Sequence, residues 1–264
     1  MKVAVGFICY SRKELSKICL MECLDNLGMV CDFYVWDNNS TDGTAEWIRD
    51  LNDSRITKTY FSDKNIGVSA YNYIFQDSGA DYYVELDDDA IPPNNYVFKM
   101  YKNYKWLEQK YGNIGFLGID FWPFGRAVSG TFAGSDSFKN VETIESPYGE
   151  EILITSLGVG GIIPGTCRMS SRKVWNLIGG QPDCLYGTDK MMNVKVLAKG
   201  MVGAYIKSIE GELVSHLYGF DSDTYTNWKK KNHYDKRSVK DIIEQEEKRR
   251  NKKVKENVRG KLGF

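Results

Sequence analysis

The sequence predicts an α/β fold: a mostly parallel, Rossmann-like central sheet flanked by helices, with a small mixed region in its second half and a charged helix near the carboxyl end. Three observations support this. Apolar runs of strand length recur through the first half, as in strands buried on both faces. Segments with helical spacing of apolar residues separate them, and such alternation builds a doubly wound sheet with right-handed crossovers. Beyond residue 120 the pattern gives way to Gly, Ser and aromatic residues with short strand-like pieces.

Taken in order, Val3-Ala4-Val5-Gly6-Phe7-Ile8 is the first strand. Ser11 and Glu14 stand at the spacing of a capping box. Behind them Leu15, Ile18, Cys19, Cys23 and Leu27 recur on one helical face. Phe33-Tyr34-Val35-Trp36 is the second strand, and Ser40-Thr41-Asp42-Gly43-Thr44 is turn and cap material for a helix ending near Leu51. A strand over 56–61 and a helix over 68–77 follow, then a strand over 82–86, a helix over 95–111 and a strand over 114–119. The second half offers a strand at 151–155, helices at 170–178 and 189–199, a strand at 202–206 and a charged helix over 238–258. There is no internal repeat.

The length of 264 residues suits one large domain, and 42% hydrophobic with 27% charged residues is ordinary for a soluble globular protein. The net charge is zero but uneven: residues 229–261 carry +8 and the remainder −8. Such a tail is either a solvated helix or a contact for an anionic surface. The six cysteines form no C-x-x-C pair, and with two histidines in the chain a zinc site is disfavoured. Cys19 and Cys23 lie four apart, where they pack as small apolar residues. Reduced thiols imply an intracellular protein. The opening apolar run is too short for a signal peptide, and no run approaches the roughly 20 residues of a spanning helix. The expectation is a cytoplasmic protein, with peripheral membrane contact through the 229–261 tail left open.

Ligands of open parallel sheets bind outside the carboxyl ends of the strands. Polar groups gather there: Cys9 to Arg12 after the first strand, Asp37 to Asn39 after the second, Asp63 to Gly67 after the third, and Asp87-Asp88-Asp89 after the fourth. Neither G-x-x-x-x-G-K-[ST] nor a G-x-G-x-x-G after the first strand is present, so a P-loop and a dinucleotide fingerprint are excluded. Asp-x-Asp at a strand end offers another way to hold phosphate, since hard carboxylate oxygens bind Mn²⁺ or Mg²⁺ and the metal binds the diphosphate. If the chain stays extended, Asp87 and Asp89 share a side and Asp88 points away, tolerant of replacement. The alternative is a solvated acidic loop.

These segments also carry a resemblance. "FICYSRKEL", "VWDNNSTDGT", "DKNIGVSAYN" and "VELDDDAIPP", in that order, resemble the nucleotide-binding half of family 2 glycosyltransferases of the GT-A fold. "CRMSSRKVWNLIGGQPDCLYGTDKMMNVKVLAKG" is similar to the family's later segment, and the likeness runs from Val3 to His216. It implies one catalytic domain over 1–220, with a nucleotide-binding half at 1–112 and an acceptor-binding half at 113–220, followed by a basic tail at 221–264. It implies Ile8, Tyr10, Arg12, Asp37, Asn38, Asn65, Gly67, Asp87 and Asp88 around the nucleotide. Asp87 and Asp89 would hold Mn²⁺ or Mg²⁺, with His216 either a further ligand or a structural histidine. Asp189 would be the general base of an inverting displacement, or an N-cap of its helix, or both. Ser11 stands where the family often has Asn, and Thr188 where it has Glu.

On the acceptor side, the aromatic stretch 118–126 suggests Trp122, and the Gly-rich stretch 158–166 suggests a close-approach wall including Gly161. The expected partners are a UDP-, GDP- or dTDP-sugar donor and a hydroxyl acceptor. No Q-x-x-R-W occurs, which disfavours a processive synthase. Sugar-nucleotide pyrophosphorylases carry a Gly-rich loop after the first strand, which Cys9 to Arg12 is not. A non-catalytic nucleotide- or carbohydrate-binding module, and transfer to an anionic polymer such as nucleic acid, stay as alternatives.

Overall fold

The computed structural model describes residues 1–122, 141–155, 163, 165–185, 187–213 and 223–232. The first half follows the expected alternation: β1 (Val3–Cys9), α1 (Lys13–Asp25), β2 (Asp32–Asp37), α2 (Thr44–Asp50), β3 (Ile56–Phe61), α3 (Ala70–Ser78), β4 (Tyr82–Asp87), a two-residue β5 (Ala90–Ile91) and α4 (Tyr96–Tyr111). Then come β6 (Ile114–Trp122), β7 (Val141–Glu145), β8 (Glu151–Thr155), β9 (Cys167–Ser171), α5 (Arg172–Ile178), α6 (Asp189–Leu197), β10 (Val202–Leu213) and α7 (Asp223–Asn232).

One sheet runs β3-β2-β1-β4-β9-β6-β10-β8-β7, with β5 pairing β10. The pairings among β3, β2, β1 and β4 are parallel, as is β6 with β10. The second half is more mixed than expected, because β9 lies antiparallel between β4 and β6 and β7 and β8 add antiparallel pairs. The sequence 170–178 reads as one helix but divides into the end of β9 and α5. The run Cys167-Arg168-Met169-Ser170-Ser171 gives no strand signal because it lacks apolar periodicity, yet every residue of it is buried. The helix expected over 238–258 lies outside the described residues, and α7 was not anticipated.

Side-chain alternation divides the core into two layers. Val3, Val5 and Phe7 face α1 and α4, joined by Cys19, Cys23, Tyr96, Met100 and Tyr104. Ala4, Tyr34 and Tyr83 face α3, α5 and α6, joined by Tyr71, Phe75, Trp175 and Met192. The chain's six cysteines form no disulfide.

The expected capping box is not made. Ser11 instead adopts a left-handed φ of 48°. Its N–H donates to Ser40 Oγ at 2.8 Å, and its Oγ accepts from Thr41 N at 3.3 Å. One carboxylate serves both neighbouring helix starts: Asp42 accepts from Lys13 N at 2.8 Å and from Thr44 N at 3.1 Å. The loops after β1 and β2 are thereby tied together at the sheet edge.

Phe75 is the centre of the α3 layer, with its ring 4.3 Å from Tyr83 and 4.8 Å from Trp175, the latter edge-on. Phe75→Ala should cost about 3–5 kcal/mol in denaturant unfolding through the cavity it leaves. A loss below about 1 kcal/mol would contradict this packing.

Candidate functional site

The carboxyl ends of β1, β2 and β4 converge. Tyr71 fixes the last of these: its hydroxyl donates to Leu86 O at 2.9 Å and accepts from Leu86 N at 3.1 Å, one residue before Asp87. After Asp87 the chain leaves the strand and turns through Asp88 and Asp89 into β5. Strand alternation therefore does not apply to the triplet, and the expected division of its faces is corrected. Asp88 is buried, held by Arg12 Nη2 on one oxygen and by Ser16 Oγ at 2.9 Å on the other. It is an anchor within the fold, where an outward-facing residue was expected. Arg12 Nη1 reaches Asp89 Oδ2 at 3.1 Å, and the Tyr225 ring of α7 lies over the guanidinium, 4.0 Å away. Arg12 thus serves as the built-in counter-ion of the triplet, with its polar fork turned to Asp88 and Asp89.

Asp87 is only half-buried by exposed area, but its carboxyl is pushed well above the usual range. Burial is the main cause, followed by the charges of Asp89, Asp189 and Asp88, with Arg12 acting the other way. The donor set is hard oxygen with surplus negative charge, which fits Mn²⁺ or Mg²⁺ bound through one or two carboxylates plus phosphate. Among the described residues no group of three or more His, Cys, Asp or Glu side chains is placed to hold a metal ion by itself.

The β2 end divides by role. Asn38 makes three hydrogen bonds inside the protein: Oδ1 accepts from Trp36 Nε1 at 3.1 Å and Ile66 N at 3.2 Å, and Nδ2 donates to Gly67 O at 3.2 Å. It thereby organises the 62–67 loop. Asp37 accepts from Ser40 N through Oδ2 at 3.1 Å, while its buried Oδ1 has no partner. Burial lifts the Asp37 carboxyl above its ordinary range. Asn65 accepts from Gly67 N at 2.8 Å, and its buried Nδ2 also lacks a partner. Gly67 has a φ of 57°, and a Cβ there would strike the Leu185 backbone at 2.2 Å. Tyr10 packs against Trp228 of α7, ring centroids 5.3 Å apart. Ile8 is half-buried in β1 against the α3 layer.

Asp189 opens α6 as its first residue, after the Thr188 cap position, and caps nothing in its own helix. Its Oδ1 accepts from Gly165 N at 2.8 Å and lies 3.7 Å from Arg168 Nη1. The Asp189 side chain is 46% exposed, whereas Arg168 is almost wholly buried. A Cβ at Gly165 would sit 2.9 Å from Asp189 Oδ1, so a glycine permits this approach. Trp122 ends β6, but its side chain lies outside the described residues, as do Gly161, His216 and the tail beyond 232.

Sequence reasoning missed Glu85, Arg168, Gln181, Tyr225 and Trp228. Glu85 is buried in β4, accepting from Arg168 Nη2 at 2.6 Å and Gln181 Nε2 at 2.9 Å. Its carboxyl is pushed up to about 7 by burial, against the lowering pull of Arg168. A glutamate inside the apolar run Tyr82-Tyr83-Val84-Glu85-Leu86 was itself the signal, since a buried charge needs a partner. Replacing Asp88 with Asn or Ala takes from the buried Arg12 one of its two carboxylate partners, leaving Asp89, and should cost about 1–3 kcal/mol by thermal or denaturant unfolding. A change within about 0.5 kcal/mol would show that the pair is dispensable.

A family model described as glycosyl transferase family 2 matches residues 5–177. No curated protein matches the sequence. Among solved structures, the chain is similar to the mannosyltransferase PcManGT from Pyrobaculum calidifontis in complex with GDP-Man and Mn²⁺, with TM-score 0.60 and 16% identity over 86% of this chain and 59% of that one. It is also similar to S. aureus TarS 1–349 in complex with UDP-GlcNAc, with TM-score 0.54 and 12% identity over 80% of this chain and 58% of that one. GalNAc-T7 with UDP, GalNAc and Mn²⁺ shares the fold at TM-score 0.52 and 12% identity, over 81% of this chain and 44% of that one. The chain therefore spans 44–59% of the length of these structures. With a family match across well over half of its 264 residues, the chain belongs to glycosyl transferase family 2.

Proposed function

We propose that this protein transfers a sugar from a nucleoside-diphosphate sugar to a hydroxyl acceptor, with inversion and without processivity. The observation that carries the reading is the meeting, at one sheet edge, of unpartnered buried polar atoms with a carboxylate cluster. Asp37 Oδ1 can only accept, when ionised, and Asn65 Nδ2 can only donate. Together they suit a nucleobase edge that offers both a ring N–H and a carbonyl, as uracil, thymine and guanine do. The similar solved structures that contain GDP-Man, UDP-GlcNAc or UDP support a nucleoside-diphosphate donor.

Asp87 and Asp89 would hold Mn²⁺ or Mg²⁺, which when bound offsets negative charge on a diphosphate leaving group. The two similar structures that contain Mn²⁺ support this. Asp189 would take the acceptor hydroxyl proton as that oxygen bonds to the anomeric carbon and the bond to the diphosphate oxygen breaks. Its anchored Oδ1 and exposed side chain leave the other oxygen for that proton. No helix among the described residues is long and apolar enough to cross a membrane.

UDP, GDP or dTDP at about a hundred times its Kd should stabilise the fold by roughly 2.7 kcal/mol in thermal melts with Mn²⁺ present, and much less without it. A lack of any metal-dependent shift with all three would overturn the reading. Asp37→Asn should weaken nucleotide binding about tenfold, read by calorimetric titration. Asp189→Asn should lower transfer by about a hundredfold or more while leaving nucleotide affinity unchanged. Persistence of transfer would place the base elsewhere.

A further inference from the structure

The Arg168–Glu85 pair is unusual because it is buried beneath the site while forming none of its exposed surface. Burying two charges carries a large desolvation cost, and a well-packed apolar pair often serves stability as well or better. Arg168 Nε also remains buried without a partner. The pair is therefore poorly explained by stability alone.

Its contacts point to another role. Arg168 Nη1 donates to Ile163 O at 3.1 Å and lies 3.7 Å from Asp189 Oδ1, while Nη2 holds Glu85. Ile163 is also clasped by Asn193 of α6: Ile163 N donates to Oδ1 at 3.0 Å, and Nδ2 donates to Ile163 O at 3.0 Å. Gln181 continues the network, donating to Glu85 and accepting from Thr188 Oγ1 at 2.9 Å, the residue just before Asp189. Thus Asp189 accepts a hydrogen bond from Gly165 N, lies within ion-pair range of Arg168 below it, and is linked through Thr188 to Gln181.

Resting on the assignment of Asp189 as the base, we propose that Arg168 is a positioning residue that fixes one oxygen of the Asp189 carboxylate and leaves the other aimed at the acceptor. Glu85 in turn holds the guanidinium fork in place. Misplacing a reacting group by about 1 Å can cost on the order of a hundredfold in rate.

The test uses the full chain, Arg168→Met, and the double variant Glu85→Met with Arg168→Met, which leaves no stranded charge if the single variant fails to fold. Crystal structures should show the Asp189 carboxylate displaced from the Gly165 N–H in the variants. With whichever of a panel of UDP-, GDP- and dTDP-sugars the wild type consumes, kcat should fall about ten- to hundredfold. Binding of the matching nucleotide diphosphate with Mn²⁺ should stay within about twofold, since only the reacting geometry is disturbed. A folded double variant with Asp189 unmoved, or with wild-type kcat, overturns the proposal. If the wild type consumes no sugar nucleotide, the transferase reading fails, and the crystal structures still decide the role of Arg168.

Discussion

Carboxylates crowd the edge of this sheet, and two buried guanidinium groups make that crowding tolerable. Two like charges 4 Å apart at a partly screened site repel by about 4 kcal/mol. Asp87, Asp88 and Asp89 are consecutive, and the charge of Asp189 bears on Asp87 as well. Arg12 lies against Asp88 and Asp89, and Arg168 lies between Glu85 and Asp189. Arg12 offsets enough charge to let the triplet fold. The Asp87 carboxyl stays lifted chiefly by its burial, with the neighbouring carboxylates adding to the effect.

The sheet topology places these charges. The four parallel strands bring three loop ends together, as in any open parallel sheet. The antiparallel β9 then does something the parallel pattern alone would not. It pairs with β4 so that Arg168 stands opposite Glu85. The chain then returns through α5 to the start of α6, where Asp189 meets the same arginine. A single inserted strand thus links Glu85 of β4 to Asp189 at the start of α6.

Much of this was legible in the sequence because the relevant signals are local. Apolar runs and helical spacing are read within a dozen residues, and the polar loop ends stand next to them. What was not legible depended on distant partners. Arg168 and Glu85 are 83 residues apart, and nothing near Arg168 announces a strand. The roles of Asp88 and Asp89 depended on a turn that the alternation rule for extended chain does not cover. Asn38, which the resemblance places near the nucleotide, has partners in the 62–67 loop and on Trp36 that its own neighbours do not announce. In α7, Tyr225 and Trp228 sit within a lysine-rich stretch whose charge masked its two aromatic anchors.

Those anchors have a consequence for how the protein is made. Tyr225 covers Arg12 and Trp228 packs on Tyr10, so residues from the start of the first crossover are roofed by residues more than two hundred positions later. Contacts of such separation close late, because the loop entropy between them must be overcome first. During synthesis the first half emerges well before α7, and its ion cluster stays open to water until α7 closes over it. A ribosome-bound chain that stops short of α7 therefore holds a sheet and a core, but an unfinished site.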